Sequence, residues 1–181
     1  MRILHGSADR LVAVPAEKPL VGFRVWRGGP LPGEPRLLSA HQVGRWPPGF
    51  DVRATCLPWD RPVPPTHTAP DPGCGCGIHA LFSRELLEAY LSERRPPRSL
   101  GEQLVYVAGV VLGWGRVAVG VDGWRAEWGH PAALLRRDAP PEVAEWTERA
   151  ALRYGVPVVE DWLGQPIDRR LASRPSLAAR I

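Results

Sequence analysis

The sequence predicts an α+β domain built on a mainly antiparallel sheet with two helices. Three observations predict it. Short runs rich in β-forming residues alternate apolar and polar side chains, and two stretches carry helical spacing with start and stop signals. Between them lies a proline-rich segment, residues 46–77, with no helical period, whose order in a compact domain requires an external tie. The 181 residues are 44% hydrophobic and 23% charged, which excludes wholesale disorder. They fit a single α+β domain, assigned to 1–165, followed by an Arg-, Ala- and Ser-rich tail over 166–181.

The elements follow in order. The first twenty residues have weak periodicity, and VPAEKP reads as a leader or an edge strand. Val21–Trp26 (VGFRVW) alternates and is a strand. A turn-rich GGPLPGEP connects it to a short strand around Arg36–Leu38. After the proline-rich segment, Ser83 opens a helix to about Arg95, with Leu86, Leu87, Tyr90 and Leu91 on one face. Glu85 in its first turn and Arg94 and Arg95 in its last match the helix dipole, and Pro96 and Pro97 stop it. Leu104–Leu112, Arg116–Val121 and Trp124–Trp128 read as three strands. Asp122-Gly123 is the tight turn between the last two, expected at positive φ. Pro140-Pro141 starts a second helix ending near Tyr154 with Gly155 as its cap, and Val156–Val159 is one more strand.

All three cysteines, Cys56, Cys74 and Cys76, lie within the proline-rich segment, and His67 lies between them. Cys-x10-His-x6-Cys-x-Cys supplies three thiolates and one imidazole, a complete tetrahedral set for Zn²⁺. Coordination would also offset the entropy of ordering a segment without secondary structure. The expected fold is therefore α+β with a zinc-closed proline-rich loop, in which four protein ligands make the site structural. His79 is the alternative to His67 as fourth ligand, and glycines 73, 75 and 77 would let the backbone fold closely around an ion. The competing readings are buried or turn thiols without a metal, or a disulfide, which a reducing compartment disfavours.

The segment GCGIHALFSRELLEAY, residues 75–90, resembles the ADP-ribosyltransferase fold in the poly-ADP-ribose polymerase branch. The resemblance implies an NAD⁺ cleft in which His79, standing where the family has Tyr, and Tyr90 sandwich nicotinamide. It implies that Gly75 and Gly77 allow close approach of the ligand. By the same resemblance Arg24 or Arg27 would hold the dinucleotide phosphates or ribose, and Glu127 or Glu160 would stabilise the oxocarbenium-like centre. The alternative is that His79 lies behind the zinc loop and Tyr90 packs its helix.

The net charge of +4 comes from 23 basic residues, of which Lys18 is the only lysine. The arginines are scattered, as at Arg136 and Arg137, which suits a solvated surface better than a dedicated nucleic-acid face. Trp114, Trp124 and Trp128, interleaved with Arg116 and Arg125, form either core or a platform for a partner. Alternation puts Trp124, Ala126 and Trp128 on one face and Arg125 and Glu127 on the polar one. No apolar run reaches the roughly 20 residues of a membrane helix. The first ten residues lack a signal's apolar core. A cytoplasmic, non-membrane protein is expected. Two functions fit it: an ADP-ribosyltransferase-like domain with a nucleotide ligand, or a non-catalytic zinc-stabilised module binding protein or nucleic acid through an Arg/Trp surface.

Overall fold

The computed structural model describes residues 10–31, 33–40, 44–56, 67–93 and 103–160. The tail over 166–181, the start of the chain and the helix end at Arg94 and Arg95 lie outside the described residues.

A long hairpin organises the fold. Its arms are β7 (Gln103–Val119) and β8 (Gly123–Leu135), and they pair from Gly109↔Leu134 to Val119↔Trp124. Two of the predicted strands, Leu104–Leu112 and Arg116–Val121, are thus one strand. The break expected between them is a bulge in the ladder between Trp114 and Val117, where Gly115 takes φ +80°. The hairpin turn is present, but Gly123 is not in the left-handed region. A Cβ there would stand 2.0 Å from the Ala80 carbonyl oxygen, so close packing against a neighbouring backbone requires that glycine.

Each arm has an antiparallel partner that is interrupted once. Along β7, β1 (Arg10–Val14) pairs from Arg10↔Val119 to Val14↔Gly115, and β2 (Leu20–Leu31) resumes at Leu20↔Gly113. Along β8, β5 (Val52–Arg53) pairs Val52↔Gly129 and Arg53↔Trp128, and the Ala54 amide donates to the Glu127 carbonyl at 2.7 Å. The same edge is resumed by β6 (Ile78–Leu81), from Ile78↔Ala126 to Leu81↔Gly123. The predicted proline-rich segment 46–77, expected without secondary structure, thus contains β5, and only its part after Ala54 is an excursion that leaves β8 beside Glu127 and returns beside Ala126. A single bridge, Phe23↔Leu81, joins β6 to β2, so the hydrogen-bonded path β2–β7–β8–β6 closes on itself. Strands β3 (Arg36–Ser39) and β4 (Arg45–Trp46) extend it beyond β2, and β9 (Val158–Val159) pairs parallel with the end of β8.

Among the described residues two helices cover the sheet. In α1 (Arg84–Ser92), Ser83 Oγ accepts from the Leu86 amide as the N-cap, and Leu87, Tyr90 and Leu91 are buried as the spacing predicts. They pack with Phe23, Val25, Ala108, Val110 and Leu112. α2 (Pro141–Tyr154) ends at Gly155, whose φ of 65° is the expected left-handed cap. Its Trp146, Ala150 and Tyr154 pack with Trp26, Trp46, Val107, Val111 and Trp124. Tyr154 Oη donates to the Trp46 carbonyl at 2.6 Å and accepts from the Leu37 amide at 2.9 Å, tying α2 to the β3–β4 pair. Among the described residues no helix is long and apolar enough to cross a membrane.

Candidate metal centre

The excursion between β5 and β6 carries all four predicted ligands. Cys56 follows β5 by three residues, and Cys76 precedes β6 by two. Cys74 closes a turn that the local sequence specifies. Asp71-Pro72-Gly73-Cys74 has Pro at its second position, the Cys74 amide donates to the Asp71 carbonyl at 3.1 Å, and the Gly73 amide donates to Asp71 Oδ1 at 2.9 Å.

The ligating atoms of Cys56, His67, Cys74 and Cys76 all lie within 4.8 Å of one another, a group that could hold a metal ion. Cys56 Sγ is 3.6 Å from Cys74 Sγ, and Cys76 Sγ is 3.5 Å from His67 Nε2. Bond lengths of about 2.3 Å to sulfur and 2.0–2.1 Å to nitrogen around a tetrahedral zinc give S–S edges of about 3.8 Å and S–N edges of about 3.5 Å. These two edges fit that tetrahedron. Cys76 is buried and the other three are partly exposed. Burial, then the adjoining Cys74 and Cys76 thiols, pushes the Cys56 thiol up to about 12. Burial also raises Cys76, against a hydrogen bond from the Asp71 backbone that works the other way.

Between the two candidates for the fourth ligand, the structure brings His67 into the group. His79, on β6, donates its Nε2–H to the Gly75 carbonyl at 2.8 Å and holds the loop from outside. Directly opposite His79 in the ladder is Arg125. Its Nη1 donates to the carbonyls of Asp71 (3.2 Å), Cys76 (2.8 Å) and Cys74. Arg125 is only 1% exposed. The face of β8 that alternation marks as polar is therefore covered, because the loop lies on it and turns its carbonyls toward the guanidinium. Gly77 is the glycine this packing requires. It has φ +124°, and a Cβ there would stand 2.9 Å from Arg125 Cβ and 3.1 Å from Pro70 Cβ.

The remaining predicted site residues are distributed as follows. Arg24 is buried on β2. Its guanidinium lies 5.0 Å from the Trp46 ring and 5.9 Å from Trp26, and donates to the His79 carbonyl and to Ser39 Oγ at 3.4 Å. Burial lowers its pKa to about 10, against a smaller raising influence of Tyr90. Arg27 Nε donates to the Ser39 carbonyl at 3.1 Å. Tyr90 is 6% exposed within the α1 core. Glu127 pairs with Arg53 at 2.9 Å and Glu160 with Arg136 at 3.0 Å. Val159, beside Glu160, lies opposite Leu135, eight residues along β8 from Glu127, or roughly 25 Å of strand. The two glutamates belong to different ends of the sheet.

Trp124 is core, fully buried, while Trp114 and Trp128 face each other across the ladder, both partly exposed, with the Arg53 guanidinium 5.4 Å from the Trp128 ring. Sequence reasoning missed Arg125 as a loop-holding residue. Alternation on a strand reports the face, not what later folds over it. Comparison of the chain with protein-family models, curated proteins and solved structures finds no match.

Proposed function

We propose that the chain is a zinc-stabilised binding module, with Zn²⁺ held by Cys56, His67, Cys74 and Cys76. The observation that carries this reading is the convergence of four ligand atoms within 4.8 Å, with the Cys56–Cys74 and Cys76–His67 edges suited to a tetrahedron. Three sulfurs and one imidazole favour zinc over harder divalent ions, and four protein ligands leave no open position for substrate, so the ion is structural. What it holds in place is the edge of β8. Beside it lies an exposed strip, with the Arg53 side chain 57% exposed over Trp128 and Arg116 exposed nearby. Arginine over indole suits stacking with a nucleic-acid base or a peptide side chain. Metal analysis of the purified chain tests the centre. About one equivalent of zinc, with a melting temperature that falls on chelation, is expected. Less than half an equivalent with freely titrating thiols would overturn it. A gel shift across a salt series then tests the strip against nucleic acid.

A second reading, an ADP-ribosyltransferase-like NAD⁺ domain, draws on one observation. Arg24 donates to the His79 carbonyl, so two of the residues assigned to the dinucleotide meet. Against it stand the burial of Arg24 and Tyr90 and the engagement of His79 with Gly75. An NAD⁺-dependent rise in melting temperature with release of nicotinamide would favour this second reading over the first.

A further inference from the structure

We propose that Arg125 is a positioning residue for the metal centre, its cation offsetting the negative charge of the thiolates while its guanidinium shapes the loop that presents them. This rests on the metal reading above. A divalent ion bound by three thiolates and a neutral imidazole carries one net negative charge. Such a centre, covered by protein on one side, is stabilised by a nearby cation in a region of low dielectric. Arg125 is that cation. It is almost wholly buried, a costly place for a guanidinium unless its charge and its hydrogens are both met. The two hydrogens of its Nη1 are shared among the carbonyls of Asp71, Cys74 and Cys76, so two of the three residues it grips are themselves ligands. The strand supplies rigidity, since Ala126 and Trp124 on either side are fully buried in the core. The loop supplies intimacy, since Gly77 lets its backbone lie against the Arg125 Cβ. A lysine in that place would carry the charge, and a glutamine would carry donors without it.

The difference between those two substitutions is the test. Full-length wild type, R125K and R125Q are titrated with Zn²⁺ against a competing chelator and, separately, with Co²⁺ read by absorption. R125Q is expected to lose about 100-fold in Zn²⁺ affinity, the upper range for groups that support ligands from outside the first ring of contacts. Its sulfur-to-cobalt charge-transfer band is expected to move to longer wavelength, because thiolates without a neighbouring cation give up electrons more easily. R125K is expected within about tenfold of wild type with its band in place. Equal affinity and an unmoved band in R125Q would overturn the inference, as would a glutamine that serves better than lysine. If R125Q does not fold, R125K decides: near-wild-type binding supports the role, and a 100-fold loss overturns it. Failure of the wild type to take up either ion would bring down the metal centre itself, a result distinct from normal uptake that ignores residue 125.

Discussion

The antiparallel partner strands of β7 and β8 are each interrupted once, and the two interruptions are closed in opposite ways. Between β1 and β2 the excursion is residues 15–19, closed by a local bond from the Lys18 amide to the Pro15 carbonyl at 3.1 Å. Between β5 and β6 it runs from Ala54 to Ile78. The entropic cost of closing a loop grows only slowly with its length, so length alone does not separate them. The difference is in what each loop must order. The short one is largely solvated and ends where a turn ends. The long one is rich in proline, and among its described residues Ala69, Pro70 and Cys76 are buried. It is held by Arg125, distant in sequence, by His79 just beyond its own end and, on the reading above, by a metal. A long insert in a sheet edge is ordered by a few strong tethers, a short one by its own turn.

Removing the metal should break this contrast most. Chelation or Cys76→Ser is expected to destabilise the domain by on the order of 3 kcal/mol and to open residues 67–77 to hydrogen exchange. Exchange along β1 and the start of β2 should stay unchanged. Loss of protection at both inserts alike would mean that the two are one cooperative unit. Gly77→Ala comes next. It places a side chain at φ +124° and against Arg125, and about 2 kcal/mol lost in a denaturant titration is expected, with weaker zinc retention.

Tyr154→Phe probes a third tie, away from both inserts. It leaves the Leu37 amide and Trp46 carbonyl without their hydroxyl partner, at about 1–2 kcal/mol, with zinc stoichiometry unchanged. The tie also has a pH signature. Burial raises the folded pKa of Tyr154 above its ordinary value of 10, so its contribution is complete below pH 10. It is lost as pH rises through the folded value, because the unfolded chain gives up that proton first. A stability profile over pH 9–11 should therefore fall more steeply in wild type than in Tyr154→Phe. The smallest effect belongs to the short insert: Lys18→Ala should move stability by no more than about 0.5 kcal/mol, since it leaves the backbone bond to Pro15 in place.

Reactivity sharpens the comparison further. With metal removed, Cys56 should alkylate at pH 8 more slowly than a cysteine in the unfolded chain while the loop stays closed, because the thiolate is the nucleophile and this thiol is pushed up to about 12, and as fast as that cysteine once residues 67–77 open. Mass spectrometry of partly alkylated protein reads it directly.

Much of the candidate site was legible in residue types. Three cysteines and a histidine inside one proline-rich segment mark a candidate ligand set whatever the fold, and the four come together. The helices were legible for the same kind of reason. Ser83, the Pro140-Pro141 pair and Gly155 act on backbone groups within a turn of themselves, so their effects are written locally. A hairpin turn was legible too, expected at Asp122-Gly123 and found one residue earlier at Val121 and Asp122, but the reason for Gly123 was not, because the carbonyl that crowds it belongs to Ala80, on another strand.

What the sequence by itself determined is the alternation, the caps and the chemistry of the ligands, all set by neighbours within a few residues. Only the tertiary structure decided which histidine joins the cysteines, that residues 103–119 form one strand, and that Arg125 faces a loop instead of water. Those outcomes depend on register. Ile78 lies against Ala126 and Ala54 beside Glu127, and this sets His67 inward and His79 behind, while a slip of one residue would exchange the faces of β6. Register comes from the summed packing of strands far apart in the chain, and no short window of sequence contains that sum.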